Sequence, residues 1–224
     1  EICACLVGSE MCIRDRCEQD ADALAVTLDA VAEKFGDILP RMRWLNFGGG
    51  HHITRPGYDM QTLERCIRRA RNDWGVTVYL EPGEACALNA GYLLTRVLDV
   101  VQNGDTTVAI LDASAACHMP DVIEMPYRPP LLAAGEKDER PCTVRLAGPT
   151  CLAGDVIGDY SFDAVPAVGD LLVFGDMAIY TTCKNNTFNG MPLPAIFARR
   201  ADGTIHKTVS FGYEDFKRRL GSPQ

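Results

Sequence analysis

The chain of 224 residues is 47% hydrophobic and 23% charged, which is enough apolar sequence to bury the core of one large domain or two small ones. Its formal net charge of −8 argues against a nucleic-acid-binding surface, which needs clustered Lys and Arg, and is compatible with a cationic substrate. No apolar run approaches the roughly 20 residues of a membrane span, and the first residues lack the basic start of a secretory signal, so neither a membrane protein nor an exported one is indicated.

The ten cysteines are scattered along the chain without a C-x-x-C pair. A chain of this length does not need disulfides to hold its core, so we expect a reduced, cytoplasmic protein. No metal site is expected either, because the chain has only four histidines and the pair His51 and His52 has no further ligands at suitable spacing.

Residues 1–16 fit neither a helical nor a strand period, and the text from Leu6 to Arg16 is similar to translated sequencing adapter. We expect this segment to be non-native, with a genuine variable N-terminus as the alternative. The fold prediction therefore begins at Cys17.

Between residues 17 and 88, helices alternate with short strands. Apolar residues at three- and four-residue steps predict an amphipathic helix from Asp20 to Gly36, and a second helix is predicted from Met60 to Arg71. Strands are predicted at Trp44–Phe47 and Val76–Leu80. This order is typical of a parallel α/β barrel or a doubly wound sheet.

After Leu88 the pattern changes to strands separated by turns, with a boundary near residues 84–90. The predicted strands are Tyr92–Val101, Thr106–Leu111, Thr143–Leu146, Asp170–Phe174 and Ala195–Arg199. Residues 89–224 are therefore predicted to form a β-rich domain.

Two loops that follow predicted strands carry residues suited to binding. Gly48-Gly-Gly50 offers backbone N–H groups without a Cβ in the way, which suits a phosphate group, although a tight turn between strand and helix explains it equally well. Glu81 ends the next strand, and Pro82-Gly83 turns the chain there. Its carboxylate is predicted to point either into a barrel mouth or into solvent.

Two further segments combine acids with groups that can donate a proton or bind a cation. Cys151 lies near Asp155 in the Gly- and Pro-punctuated loop Gly148–Asp159, where a thiol is a candidate catalytic acid; a buried structural cysteine is the alternative. Asp121 and Glu124 follow a predicted strand and suit the protonated nitrogens of a cationic substrate; a solvated loop with a helix cap is the alternative.

Four segments together resemble a known family. They are Asn46–Pro56 (NFGGGHHITRP), Glu81–Ala85 (EPGEA), Gly148–Asp159 (GPTCLAGDVIGD), and Tyr180 with the Phe-Asn-Gly of Thr187–Gly190. They are similar to motifs of the pyridoxal-phosphate-dependent basic amino acid decarboxylases of the alanine-racemase-like fold, and most of all to those that decarboxylate carboxynorspermidine. The resemblance covers the chain from roughly Cys17 to Phe211.

This resemblance implies the end of an eight-stranded α/β barrel in residues 17–88, followed by an all-β C-terminal domain. It also implies decarboxylation of carboxynorspermidine or carboxyspermidine in polyamine synthesis with pyridoxal 5′-phosphate as cofactor. Relatives share the segment around the catalytic thiol between two subunits, so a homodimer is implied.

The resemblance further implies a role for each candidate residue. The expected catalytic residues are Cys151, which protonates the product, and Glu81, which bonds the pyridine nitrogen. The expected cofactor-binding residues are Gly48, Gly49, Gly50, Glu81 and Tyr180. The expected substrate-binding residues are Glu84, Asp121, Glu124 and Asp155.

The chain departs from the family in two ways. Many relatives carry arginine where this chain has Glu84. The chemistry needs a lysine that binds the cofactor's aldehyde, and no lysine of this chain lies in a matching context: Lys34, Lys137, Lys184, Lys207 and Lys217. We therefore expect a piece of a decarboxylase that lacks the N-terminal barrel and is inactive by itself.

Two alternatives remain open from the sequence. The first is a diaminopimelate decarboxylase or another basic amino acid decarboxylase of the same fold, which would favour an arginine near Glu84 and Glu124 to bind a distal carboxylate. The second is a non-catalytic homologue that has lost its lysine.

Overall fold

A computed structural model of the chain describes residues 20–221. The chain divides into two compact units, residues 1–88 and 89–224. Segment 1–16, for which we expected a non-native origin, lies outside the described residues. Over residues 20–221, no helix is both long and apolar enough to cross a membrane.

Helices and two short strands build the first unit. In chain order they are α1 (Ala21–Phe35), β1 (Trp44–Asn46), α2 (Met60–Trp74), β2 (Thr77–Tyr79) and α3 (Gly83–Ala87). The two helices and two strands predicted from the sequence are confirmed, with bounds that differ by no more than three residues. The short helix α3 was not predicted.

The ends of α2 follow from the residues that flank it. Asp59 precedes the helix and its side chain accepts a hydrogen bond from Thr62 N at 3.0 Å, which satisfies one of the free N–H groups of the first turn. Gly75 follows the helix with a φ of 69°, a left-handed conformation that glycine adopts without steric cost. The apolar faces of α1 and α2 pack with Leu45 and Phe47 in one buried core.

β1 and β2 pair in parallel, with Asn46 opposite Tyr79. Because parallel strands run in the same direction, their carboxyl ends lie at the same edge. The loop that follows β1 and the loop that follows β2 therefore begin side by side, and Phe47 N donates to Tyr79 O at 3.0 Å just beyond the strands.

The second unit combines strands with short helices. In chain order they are β3 (Leu93–Asn103), β4 (Thr106–Leu111), α4 (Ala115–His118), α5 (Asp121–Glu124), β5 (Cys142–Ala147), β6 (Val156–Phe162), β7 (Leu171–Phe174), α6 (Tyr180–Cys183), β8 (Ile196–Arg199), β9 (Ile205–Val209) and α7 (Tyr213–Arg219). Five strands form one sheet in the order β6-β5-β4-β3-β7, and β8 pairs with β9 separately. Only β4 and β5 pair in parallel within the large sheet.

The prediction of an all-β second domain is not confirmed, because α4 and α5 lie in the connection between β4 and β5. Parallel neighbours cannot be joined by a tight turn, so the chain needs a long crossover, and this crossover is where the helices form. The prediction of a loop over Gly148–Asp159 was wrong from Val156 onward, since β6 begins there. β6 is stabilised by residue-by-residue pairing with β5, and the local sequence does not reveal this pairing.

The core of the second unit lies on one face of the five-stranded sheet. Val97, Leu111 and Leu146 are buried there with Tyr160 and Phe174. The two aromatic rings meet edge to face, with 6.1 Å between their centroids. The Tyr160 hydroxyl donates to Pro129 O at 2.8 Å, so its one polar atom is satisfied inside the core.

We expect Leu111→Ala to lower the free energy of unfolding by about 2–5 kcal/mol, because Leu111 is fully buried and truncation leaves a cavity among well-packed neighbours. Leu98→Ala is the matched control, since Leu98 lies on the same sheet with 47% of its surface exposed. Urea unfolding of the two variants measures the difference. Equal losses would contradict the placement of the core on this face.

Candidate active site

The first unit brings the glycine loop and Glu81 together at the carboxyl ends of β1 and β2. Glu81 N donates to Gly48 O at 2.8 Å. Asn46 connects the two loops through its side chain: Nδ2 donates to Glu81 Oε1 at 2.6 Å, and Oδ1 accepts from Gly48 N at 2.8 Å. The Glu81 carboxylate, which is exposed, is thereby held beside the loop.

The geometry of the loop requires glycine. Gly48 and Gly50 have φ values of 70° and 81°, in the left-handed region. A Cβ on Gly49 would lie 3.0 Å from Glu81 O, so a side chain there would push the two loops apart. Within 20–221, the N–H groups of Gly49 and Gly50 donate no hydrogen bond to another residue.

The two histidines after the loop are buried. Neither ring nitrogen of His51 makes a hydrogen bond of good geometry among residues 20–221. Burial lowers the pKa of His51, and the backbone of Phe47, which lies close to the ring, opposes part of this shift. His52 Nε2 lies 3.3 Å from Glu84 Oε2, which is ion-pair distance without the angles of a hydrogen bond. Glu84, at a position where many relatives carry arginine, thus faces a histidine, and its expected contact with substrate stays a prediction.

The second unit carries Cys151 on the loop between β5 and β6. Cys151 is exposed and its thiol is free. Its backbone N–H donates to Asn189 Oδ1 at 3.0 Å, and Asn189 has a φ of 59°, which is left-handed. The turn at Phe188–Gly190 therefore contacts the thiol loop.

Asp155 lies at the end of the same loop and is only 3% exposed. Its Oδ1 accepts from Ser114 Oγ at 2.9 Å and from Ala116 N at 3.2 Å. Its Oδ2 accepts from Thr150 Oγ1 at 2.6 Å and from Thr150 N at 3.2 Å. A carboxylate offers about four acceptor positions, and these four bonds occupy them. The contact with a substrate amine that the resemblance implies for Asp155 stays a prediction.

The acids expected to bind substrate are partly occupied by a lysine of the chain itself. Lys184 Nζ donates to Asp121 Oδ1 and, at 3.0 Å, to Glu124 Oε2. The bond to Asp121, followed by that to Glu124, raises the pKa of Lys184. Asp121 is buried, whereas 58% of the Glu124 side chain is exposed. The cluster carries two negative charges and one positive charge, a net charge of −1.

Tyr180 begins α6 on the surface of the second unit. Lys184 Nζ lies 5.3 Å from the centroid of its ring, within the range of a cation–π contact. Tyr180 and Lys184 are four residues apart, which places them one helical turn from each other. Sequence analysis missed Lys184, and this spacing relative to Tyr180 is the signal that could have identified it as a neighbour of a candidate residue. The phosphate-binding role of Tyr180 stays a prediction.

His118, which sequence analysis left without a role, is the buried last residue of α4. Its Nδ1 accepts from Ser114 N at 3.1 Å, so the proton of the neutral ring is on Nε2, which donates to Pro192 O at 3.0 Å. Burial lowers the pKa of His118; the hydrogen bond to Pro192 O, followed by the charges of Asp112 and Asp155, opposes this shift without outweighing it. His118 is therefore a neutral structural group at neutral pH.

Comparisons with known proteins agree with these motifs. A sequence model described as "Pyridoxal-dependent decarboxylase, C-terminal sheet domain" matches residues 7–178. Carboxynorspermidine/carboxyspermidine decarboxylase from Campylobacter jejuni is 42% identical over 91% of this chain and 56% of its own length. Carboxyaminopropylagmatine decarboxylase from Synechocystis is 44% identical over 92% of this chain and 53% of its own length.

A solved structure supports the same relation. The crystal structure of carboxynorspermidine decarboxylase from Campylobacter jejuni in complex with norspermidine matches with a TM-score of 0.79 and 42% identity. The match covers 91% of this chain and 58% of that one. The chain thus spans little more than half the length of these relatives.

We expect His118→Gln to weaken the pH dependence of stability. Because burial lowers the folded pKa of His118, the unfolded chain binds the proton more readily; the stability due to neutral His118 is present above pH 6.5 and is lost as the pH falls below that value. Between about pH 7.5 and 5.5 the wild-type chain will lose more thermal stability than the variant.

The matched control is His206→Gln, which removes an exposed histidine of the same unit. Its melting temperature is expected to follow the wild-type pH profile. Identical profiles for His118→Gln and the wild type would show that His118 titrates alike in the folded and unfolded states, and would contradict the assignment.

Proposed function

The chain belongs to the pyridoxal-dependent decarboxylases, and from this premise we propose that it is part of an enzyme that removes carbon dioxide from a carboxylated polyamine, carboxynorspermidine or carboxyspermidine. The observation that carries the proposal is the similarity to enzymes that act on such substrates, at an identity well above that at which only a fold is shared. The net negative cluster at Asp121 and Glu124 supports a cationic substrate.

The described residues fit the family's cofactor. Pyridoxal phosphate supplies, when bound, a ring that accepts the electron pair left when carbon dioxide departs. Gly48, Gly49 and Gly50 would bind its phosphate through backbone N–H groups, two of which have no other acceptor within 20–221. Glu81 would hold a proton at the pyridine nitrogen, and its bond from Asn46 orients the carboxylate for this.

Cys151 is proposed as the acid that completes the reaction. The bond between the substrate carbon and its carboxylate breaks, carbon dioxide leaves, and the thiol donates its proton to that carbon to form the new C–H bond. The thiolate then recovers a proton from water. The Cys151 thiol is exposed, and its loop is held by the hydrogen bonds of Thr150 to Asp155 and of Cys151 N to Asn189. An exposed thiol suits this role better than a buried thiol, because the acid has to reach a bound substrate.

Of the two acids at the α5 helix, we propose Glu124 as the one that binds the distal ammonium. Asp121 is buried and neutralises Lys184, whereas Glu124 has an exposed carboxylate. A cluster with a net charge of −1 favours a cation over the distal carboxylate of diaminopimelate. Carboxyaminopropylagmatine is a second candidate substrate, because the relative from Synechocystis is named for it and the guanidinium of this compound is also a cation.

The remaining parts of the enzyme are proposals of the same kind. We place the aldehyde-binding lysine in the half of the protein that relatives have and this chain does not span. We propose that this half completes an eight-stranded α/β barrel around β1 and β2. A cytoplasmic homodimer, in which Cys151 serves the partner subunit's site, is the assembly that the family resemblance favours.

We expect the full-length enzyme that contains this chain to release carbon dioxide from carboxynorspermidine and carboxyspermidine. The assay compares these with carboxyaminopropylagmatine and diaminopimelate, and kcat/KM for the polyamine substrates is expected to exceed that for diaminopimelate by about 100-fold, because the distal carboxylate of diaminopimelate meets an acid of the protein.

Glu81→Gln is expected to lower kcat by about 100-fold in the same assay.

The other outcomes separate the alternatives. Carbon dioxide from diaminopimelate alone would overturn the substrate assignment. A preference for carboxyaminopropylagmatine would move it to the second candidate. No product from any of the four compounds would support the non-catalytic homologue.

Glu124→Gln is expected to raise KM for the polyamine substrate by about tenfold with little change in kcat, because the remote ammonium then meets a neutral amide oxygen in place of a carboxylate. Glu214→Gln is the matched control, since Glu214 is an exposed acid on α7. Steady-state kinetics of both variants measures the split between KM and kcat. An unchanged KM in Glu124→Gln would remove Glu124 from the substrate site.

A further inference from the structure

The loop from Gly148 to Asp155 is wrapped around the carboxylate of its own last residue. Asp155 N donates to Leu152 O at 2.9 Å, and Gly148 N donates to Asp155 O at 2.8 Å, so the backbone closes on itself. Gly148 approaches the side chain so closely that a Cβ would lie 2.2 Å from Asp155 Oδ2. Cys151 is part of this closed loop.

The same carboxylate joins the loop to a second element. Oδ2 binds Thr150, the neighbour of Cys151, while Oδ1 binds the Ser114 hydroxyl and Ala116 N at the start of α4. Ser114 is itself fully buried, and its Oγ accepts from Cys117 N at 3.2 Å. One buried charge therefore fixes two segments that are about 40 residues apart in the sequence.

The turn that contacts Cys151 from the other side is anchored to the same helix. Asn189 Oδ1 accepts from Cys151 N at 3.0 Å. Phe188 O accepts from Cys117 Sγ at 3.4 Å, and Asn186 Nδ2 donates to Ala116 O at 2.7 Å. Thr150 is thus connected to the start of α4 through Asp155, and the Cys151 N–H is connected to α4 through the turn at Phe188–Gly190.

We propose that Asp155 is a positioning residue for the Cys151 thiol and not a ligand of the substrate. A buried carboxylate with four donors resists displacement, because each lost bond would leave a charged oxygen unsatisfied away from water. Asp155 holds Thr150 and hence the next residue, Cys151, at a fixed place above α4. That the position of Cys151 matters for catalysis rests on the proposed function, whereas the hydrogen bonds that fix the position do not depend on it.

Asp155→Asn is the direct test. Asparagine keeps one acceptor oxygen but presents an NH₂ group to donors on the other side, so part of the network is lost and the loop loosens. In the full-length enzyme we expect kcat to fall by about 10- to 100-fold with KM changed less than about threefold. A rise in KM with kcat preserved would instead identify Asp155 as a substrate ligand and overturn the proposal.

A double-mutant cycle shows whether Asp155 acts through the thiol. If it does, Cys151→Ala with Asp155→Asn is expected to have the kcat of Cys151→Ala alone, within about twofold to threefold. Multiplied effects would mean that Asp155 contributes independently of Cys151, and would contradict the positioning role.

A second readout is independent of decarboxylation. The rate at which iodoacetamide alkylates Cys151 in the full-length protein that contains this chain, followed by peptide mass spectrometry, is expected to change at least fivefold in Asp155→Asn, while the rate at exposed Cys183 stays constant. Asp105→Asn, an exposed acid in the turn between β3 and β4, is the matched control. An unchanged Cys151 rate would overturn the proposal even if the enzyme proves to decarboxylate another substrate.

Two less disruptive variants test the same hydrogen bond in case Asp155→Asn does not fold. Thr150→Val removes only the hydroxyl that binds Oδ2, and Thr150→Ser retains it. We expect Thr150→Val to shift the alkylation rate of Cys151 in the same direction as Asp155→Asn and Thr150→Ser to restore it. Equal rates in the two variants would show that the Thr150 bond does not position the thiol.

Discussion

The buried carboxylate of Asp155 is the interaction on which the proposed chemistry of the second unit depends. A charge away from water is tolerated only when donors surround it, and here the hydroxyls of Ser114 and Thr150 and two backbone N–H groups do so. Those donors belong to the thiol loop and to α4, so neither segment can move far without exposing an unsatisfied oxygen. The place of Cys151 follows from this constraint.

An equivalent but weaker constraint acts in the first unit. The parallel pairing of β1 and β2 brings the glycine loop and Glu81 to one edge, and the Asn46 side chain bonds both. An amide serves this purpose because it donates to the carboxylate and accepts from a backbone N–H at the same time, which an aspartate could not do. Among residues 20–221, the N–H groups of Gly49 and Gly50 have no acceptor.

The two long helices and both strands of the first unit, and most strands of the second, could be predicted because each has a local signal. α1 shows apolar residues at helical spacing, and α2 is bounded by Asp59 and Gly75. β6 and the short helices of the crossover could not be predicted in this way. β6 contains Gly158 and is stabilised by its pairing with β5, and the crossover helices exist because β4 and β5 run parallel.

The candidate site residues also show which properties have a local signal in the sequence and which depend on tertiary contacts. The sequence by itself determined the chemical types present, the loops that carry them, and the family they resemble, since spacing and residue identity are local properties. Only the tertiary structure decided which acids are occupied: Asp155 by four donors of the chain, and Asp121 and Glu124 by Lys184, with Glu124 still largely exposed. The physical reason is that a carboxylate's partners lie up to 63 residues away in the sequence, and packing alone brings them within hydrogen-bonding distance.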